Sequence, residues 1–557
     1  MKRLVSCVLA VALTSGLPLR VEAQARRPRL IVLLMVDQMR ADYIDKFQHQ
    51  WTAGLRRLIA EGAWFREADY PYAATVTCGG HASVSTGTLP SVHGMIGNTW
   101  WDRERGAVVA CADDPTVYNL SFGKPVDAAG ESAVRLLAPT LADELRAQLS
   151  PVPRIVAFSL KARSAVTLGG QRPDAVAWVD DQGAFVTSSA FAGGPSPAVA
   201  DYVARHPVEH QLWSTWDRAL PDSAYLYEDL AGGARDGDAP SFPRTIRTWV
   251  DWQASPLADE YLVDMALDVG AQMKLGAAGR TDMLAIGFST LDIVGHASGP
   301  NSHEVQDVLV RLDRTIGRLL AGLDRQVGRG NYVVALSADH GVAPVPERSE
   351  AFGLDAARIP VRAIPDAAQQ AIAAQLGRGQ YVNRLMSDNL YLADDVYDML
   401  RSRPGALAAV RTAIESVPGV RAVYSRDQLM AGAFGDDALA RQFANSFMPS
   451  RSGDFVIAYK PYWLFGGTGG TTHGTPYRYD THVPVILMGP GIAPGEYARS
   501  VTPLDIAPTL AYLAGITLPY AHGQVLTDAL RRPEAALTTR GTTPAPRPVP
   551  PAPAAGR

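Results

Sequence analysis

The residues most able to do chemistry in this chain are six carboxylate and imidazole side chains and one threonine. Asp292-x-x-x-His296 sets two donors on one face if the segment is helical, or close together in a tight loop. Asp339 and His340 follow the apolar run Val333–Leu336, and Asp37 follows Leu30–Val36. His473 lies in Thr471-Thr-His473-Gly-Thr-Pro, a stretch unlike a core strand. Taken singly, each reads as a loop cap or a satisfied histidine. Their joint placement at the ends of apolar runs is what points to a metal site built from nitrogen and oxygen donors. Thr77 stands in Thr75-Val-Thr77-Cys-Gly-Gly-His81, where Gly79 and Gly80 permit a tight turn and a helix can begin. The free N–H groups of such a helix start favour an anion. A threonine there is a helix cap or a nucleophile, and the segment alone leaves both readings open.

Those donors need strands to carry them. Leu30–Val36, Arg154–Leu160, Met283–Phe288, Val333–Leu336 and Val483–Met488 are continuous apolar runs of the kind that suit strands covered on both faces. Between them lie helical patterns, clearest in His303–Arg325, where Val305, Val308, Leu312, Ile316, Leu319 and Leu323 recur at helical spacing. Alternation of this kind predicts an α/β fold with helices on both faces and chemistry beyond the carboxyl ends of the strands. Residues 165–275 and 345–460 fit the sheet poorly and are expected to be insertions that cap a site. From Pro533 the chain becomes a Pro/Ala/Thr-rich tail with no apolar residues for a core.

Composition narrows the classes. The chain has 557 residues, 47% hydrophobic and 19% charged, with a net charge of −4, so no basic excess marks a nucleic-acid binder. Lys2 and Arg3 precede the short apolar run Leu4–Leu13, and Val21-Glu22-Ala23 fits a cleavage site, which predicts a signal peptide over residues 1–23 and export to the periplasm or medium. No transmembrane segment is expected in the mature form, residues 24–532 are expected to form the catalytic domain, and a monomer is expected. Of the three cysteines, Cys78 and Cys111 remain after the signal; they suffice for a disulfide, which spacing alone does not decide, and not for a thiolate metal cluster.

With these motifs in place, the chain resembles the alkaline phosphatase superfamily, and within it the phosphate-irrepressible enzymes that use threonine as nucleophile, from about Arg29 to Leu526. The resemblance implies a central mixed, largely parallel sheet sandwiched by helices, with inserted cap elements. It implies two zinc ions, one held by Asp292, His296 and His473, the other by Asp37, Asp339 and His340 with Thr77 beside it. His81 and His93 then count as structural. One departure is Cys78-Gly79-Gly80-His81, where family members often carry a proline before the Gly-His pair.

Monoesterases of that group hold the free phosphoryl oxygens with an Asn, a Lys and an Arg. By resemblance these are Asn98, Lys161 and Arg163, and an extended segment would send Lys161 and Arg163 the same way. The expected substrates are small-molecule phosphate monoesters. The alternatives are a phosphodiesterase of the same superfamily and an exported, non-catalytic binder of phosphate ligands. A sulfatase is disfavoured, because Cys78 lacks the Cys-x-Pro-x-Arg context.

Overall fold

The structure is a computed structural model that describes residues 27–124, 126, 129–227 and 242–531. The proposed signal peptide and the proline-rich tail lie outside the described residues. Five runs named above become strands: β1 (Leu30–Val36), β2 (Ile155–Ser159), β3 (Asp282–Phe288), β4 (Tyr332–Ser337) and β5 (Val485–Met488). All five are buried along their whole length, which is why they lack the polar alternation of a half-solvated strand.

An 11-stranded sheet runs Gly495–Tyr497, Ala63–Phe65, β5, β4, β1, β3, β2, Ala175–Val179, Phe185–Ser188, Asp113–Ser121, Ala129–Glu131. Its centre, from β4 to Ala175–Val179, is parallel. β5 instead runs antiparallel to β4, and the far edge is antiparallel too. The mixed, largely parallel sheet between helices is therefore the fold that forms. Helices Gly54–Glu61, Pro256–Gln272 and His303–Leu323 pack together as one covering layer; Thr77–Thr86, Leu141–Gln148, Ala162–Gly169 and Ile506–Ala514 pack as the other.

Neighbouring strands end almost level. Val36 pairs with Phe288, Met35 with Ser337, and Gly287 with Ser159. Residues just past these ends are thus delivered to one edge.

Of the two regions expected to stand off the sheet, 165–275 contributes two of its strands, Ala175–Val179 and Phe185–Ser188, and a covering helix, Pro256–Gln272. The Gly, Pro and Trp richness that suggested an insertion belongs to the links around these elements. Within 345–460 the chain builds a separate antiparallel sheet, ordered Val382–Met386, Asn389–Leu392, Phe455–Tyr459, Val420–Ser425. It has its own apolar core, including Ile372, Leu390, Val410 and Ile457. This second sheet, with its helices, is called the cap below.

At the opposite, amino end of the strands, Asp282 has a purely structural task. Its buried carboxylate accepts the backbone N–H of Arg154 at 2.8 Å and of Gly276 at 2.9 Å, and pairs with Arg280. It thereby clamps the start of β3 to the residue preceding β2. Asp282→Ala leaves these donors unpaired and is expected to cost about 3 kcal/mol, the scale of breaking a buried pair. Urea unfolding should show that loss, while turnover per folded molecule stays unchanged.

Candidate active site

Four side chains follow the level strand ends. Asp37 comes directly after β1, Lys161 two residues after β2, Asp292 four after β3, and Asp339 two after β4. Three helices start at the same edge: α1 (Thr77–Thr86), α2 (Ala162–Gly169) and α3 (Thr290–Ser298). α1 packs on α2, and it can come close to β4 only because residue 80 is glycine. A Cβ on Gly80 would lie 2.2 Å from the Asp339 carbonyl oxygen.

Two donor groups result. Asp292, His296 and His473 present ligand atoms within 4.8 Å of one another, with the His296 Nε2 3.2 Å and the His473 Nε2 3.6 Å from Asp292 Oδ1. Helical spacing on α3 is what sets Asp292 against His296, while His473 arrives from the loop before β5. The second group contains Asp37, Asp339 and, from α1, His81, all fully buried. His340 stands against the same Asp339, its Nε2 3.1 Å from Oδ2, and its ring stacks on His473 with centroids 3.4 Å apart. His81, expected to be structural, thus sits inside the donor group, 3.3 Å from Asp37 Oδ1. His93 lies elsewhere, joined to Ser83 Oγ and the Met95 N–H.

The four histidines share one device. In each, Nδ1 donates to a backbone carbonyl: His81 to Thr77, His296 to Thr471, His340 to Gly341, and His473 to Thr75. Because a carbonyl can only accept, Nδ1 carries a proton in each ring, and Nε2 is the nitrogen turned toward the carboxylates and left for a metal. Burial, then the nearby His340 and His296, hold His473 well below the ordinary histidine range, so its imidazole is neutral.

Charge accumulates at the strand ends. Lys161 Nζ bridges the two groups, 2.7 Å from Asp37 Oδ2 and 2.6 Å from Asp292 Oδ2. Burial works to raise all three carboxyls. Lys161 and His296 outweigh it at Asp292, and His340 with His81 at Asp339, so both are held low; at Asp37 burial prevails and the pKa rises. Asp37 is therefore the carboxylate short of positive charge. Asp37 Oδ1, His81 Nε2, Asp339 Oδ2 and His340 Nε2 are all buried without a hydrogen-bond partner. Orphaned groups of this sort each cost about 1–3 kcal/mol. A divalent cation complements such a set of oxygen and nitrogen donors, so the residues fit a metal.

Thr77 is the first residue of α1 and is 1% exposed. The cap position belongs to Val76, and no side chain caps the helix, so capping is not what Thr77 does here. Asn98 is delivered to the same helix start, where its Oδ1 accepts the Cys78 N–H at 2.9 Å. A disulfide joins Cys78 to Cys111.

Lys161 and Arg163 do not share an extended segment. Lys161 ends the link after β2, whereas Arg163 is already helical. Lys161 reaches the carboxylates, and Arg163 stays at the start of α2 with its buried Nε unpartnered. Gln38 carried no signal of its own in the sequence. Held at φ 68°, it donates its backbone N–H to Asp339 Oδ1 at 3.0 Å and its side-chain amide to Asp292 Oδ1 at 2.8 Å, tying the two groups together.

Comparison with known proteins agrees with this geometry. The family described as "Type I phosphodiesterase / nucleotide pyrophosphatase" matches residues 31–483. Alkaline phosphatase PafA of Elizabethkingia meningoseptica is 31% identical over 541 residues, spanning 91% of this chain and 95% of that one. Alkaline phosphatase PhoV of Synechococcus elongatus is 29% identical over 536 residues, spanning 91% and 93%. The crystal structure of wild-type PafA superposes with a TM-score of 0.82 at 28% identity, covering 91% of this chain and all of that one. A PafA variant altered at one threonine, one asparagine, one lysine and one arginine superposes at 0.83, with the same identity and coverage.

The Gly80 contact yields a test. Gly80→Ala must drive α1 away from the Asp339 backbone, displacing His81 and Thr77 together. Turnover is expected to fall about 100-fold or more, as a misplacement near 1 Å commonly causes, with circular dichroism unchanged.

Proposed function

This chain belongs to the type I phosphodiesterase/nucleotide pyrophosphatase family of the alkaline phosphatase superfamily, and on that footing we propose that it hydrolyses phosphate monoesters through a phosphorylated Thr77. That it is an alkaline-phosphatase-like hydrolase of phosphate esters follows from its curated relatives. The monoester preference, the threonine intermediate and the two zinc ions are the proposal.

One observation carries it. In the PafA variant the altered asparagine lies 21 positions after the altered threonine, and the arginine two after the lysine. Thr77 and Asn98, and Lys161 and Arg163, have the same spacings here. In this chain those four residues stand at the starts of two helices that pack together.

Asp292, His296 and His473 would hold one zinc ion, and Asp37, Asp339 and His340 the other, beside Thr77. Bound dications supply charge neutralisation for the phosphoryl group and acidify a hydroxyl beside them. The Thr77 hydroxyl gives up its proton, Oγ attacks phosphorus, and the bond from phosphorus to the ester oxygen breaks, so the alcohol departs carrying a proton. Water then attacks the phospho-threonine, returning the hydroxyl and releasing inorganic phosphate. Asn98 would donate its amide N–H to a phosphoryl oxygen, a reading supported by its own oxygen being occupied by the Cys78 N–H. Lys161 brings positive charge to the junction of the two groups, and the Arg163 guanidinium can give paired hydrogen bonds to a dianionic phosphoryl. Phosphoryl transfer asks for positioning and charge more than for proton chemistry, and these residues supply both.

The family description also covers phosphodiesterases, whose substrates have one free phosphoryl oxygen fewer. The three groups assigned to free oxygens favour the monoester. The N-terminal pattern and the Cys78–Cys111 disulfide support export to an oxidising compartment. No helix among the described residues is long and apolar enough to cross a membrane.

Thr77→Ala is expected to abolish acid-stable phosphoenzyme and to lower kcat by about 1,000-fold or more; near-wild-type turnover would show that the nucleophile lies elsewhere. Lys161→Ala and Arg163→Ala should depress kcat/KM for nitrophenyl phosphate more than for its methyl diester, and equal losses would remove the basis for the monoester assignment. Chelation should extinguish activity, and zinc should restore it with about two ions bound per chain.

A further inference from the structure

A cavity of about 230 Å³ opens beside the candidate catalytic edge, and none of the steps above uses it. One wall is Val76, Gly97 and His473, the neighbours of Thr77 and Asn98 together with a proposed ligand. The facing wall belongs to the cap and the link that follows its last strand: Asp388, Tyr459 and Trp463. We propose that this cavity is the subsite for the alcohol half of the ester, and that it takes a flat aromatic ring presenting an N–H donor at its edge. The inference rests on the reading of Thr77 as nucleophile, since that residue fixes where the alcohol half must project.

Size and lining argue for a ring. A dry apolar cavity of about 150 Å³ accommodates benzene, so this one has room for a ring larger than benzene. Tyr459 lies parallel to Phe465, which also lines the cavity, with an interplanar angle of 4° and centroids 6.0 Å apart. Trp463 is fixed by donating its indole N–H to Asp355 at 3.0 Å. Rigid aromatic walls of this kind favour flat guests, because they offer contact area with little side-chain freedom to lose.

The donor requirement comes from Asp388. Its carboxylate accepts the Asn389 side-chain amide at 2.7 Å, and no ion pair reaches it from any described residue. It is only 8% exposed, and burial lifts it to about 6 against the opposing hydrogen bonds from its own backbone N–H and from Asn389, so it is ionised in alkaline solution. Its backbone is held in place. Ser387 and Asp388 form the tip between the cap strands Val382–Met386 and Asn389–Leu392, Ser387 has a φ of 53°, and the Tyr459 hydroxyl donates to its carbonyl at 2.6 Å. A non-glycine residue in that region costs energy, and the tyrosine holds it there. A polar edge pointing at Asp388, with a ring lying against the aromatic side chains that line the cavity, satisfies both features at once.

The test compares three monoesters at pH 8: guanosine 5′-monophosphate, which has ring and donor; phenyl phosphate, which has the ring alone; and glycerol 3-phosphate, which has neither. Each variant is read against wild type on the same substrate, so intrinsic reactivity cancels. Trp463→Ala is expected to lower kcat/KM about tenfold for the first two, on the scale of a lost stacking contact, and less than twofold for the third. Asp388→Asn, nearly isosteric, should lower only the guanosine ester about tenfold, the loss expected when a charged hydrogen-bond acceptor becomes neutral. Uniform losses across the three esters, or no loss for Asp388→Asn, would overturn the subsite. A second arm measures guanosine itself, without phosphate, binding to Thr77→Ala by calorimetry. Binding that Asp388→Asn weakens supports the subsite, and no binding counts against it. If wild type hydrolyses none of the esters, the phosphatase reading fails, while the calorimetric arm still decides the cavity.

Discussion

Like charges held close together in a dry place govern this molecule. Asp37, Asp292 and Asp339 are gathered at one sheet edge, almost out of contact with water, around the single ammonium of Lys161. Three carboxylates outnumber the one lysine set among them, and burial makes such crowding of charge expensive. Backbone geometry enforces the crowding: the level ends of β1, β2, β3 and β4 allow these side chains no other destination. The histidines, the glycine at position 80 and the turn at Gln38 are best understood as consequences, since each permits or stiffens that crowding. Carboxylates and imidazoles gathered this closely form donor sets that can hold a metal ion.

Much of this was legible in the residues because buried parallel strands write themselves as unbroken apolar runs. Leu30–Val36 appears in the structure with the same boundaries, and the donors Asp37, Asp339, His340, Asp292, His296 and His473 do come together. What spacing could not show was orientation. The common direction expected of Lys161 and Arg163 needs an extended chain between them, whereas helix α2 begins at Ala162. His81 looked redundant because the expected ligand sets were complete without it, whereas the close approach permitted by Gly80 brings it against Asp339, just past β4. Gln38 was illegible for a similar reason: its role depends on a left-handed turn, and glutamine gives no warning of one.

The region 165–275 offers a different lesson. Its glycines, prolines and tryptophans describe the connections, and the short strands Ala175–Val179 and Phe185–Ser188 were hidden among them. Five- and four-residue strands carry too little pattern to stand out from such surroundings. The cap, by contrast, has a complete sheet and a core of its own. Variation there can reshape the approach to the catalytic edge without disturbing the strands that carry the carboxylates.

The bond between Cys78 and Cys111 closes a covalent ring, and the sequence separation across it is 33 residues. Asn98 rides on that ring, touching it twice: its side chain receives the Cys78 N–H, and its carbonyl receives the Cys111 N–H at 3.0 Å. Thr77 is bonded to the ring's first member. The hydroxyl and the amide are therefore leashed to one another by covalent connectivity as well as by folding, and thermal breathing of the surrounding helices cannot carry them far apart. An oxidising medium, in which such a bond persists, thus completes the chain's geometry.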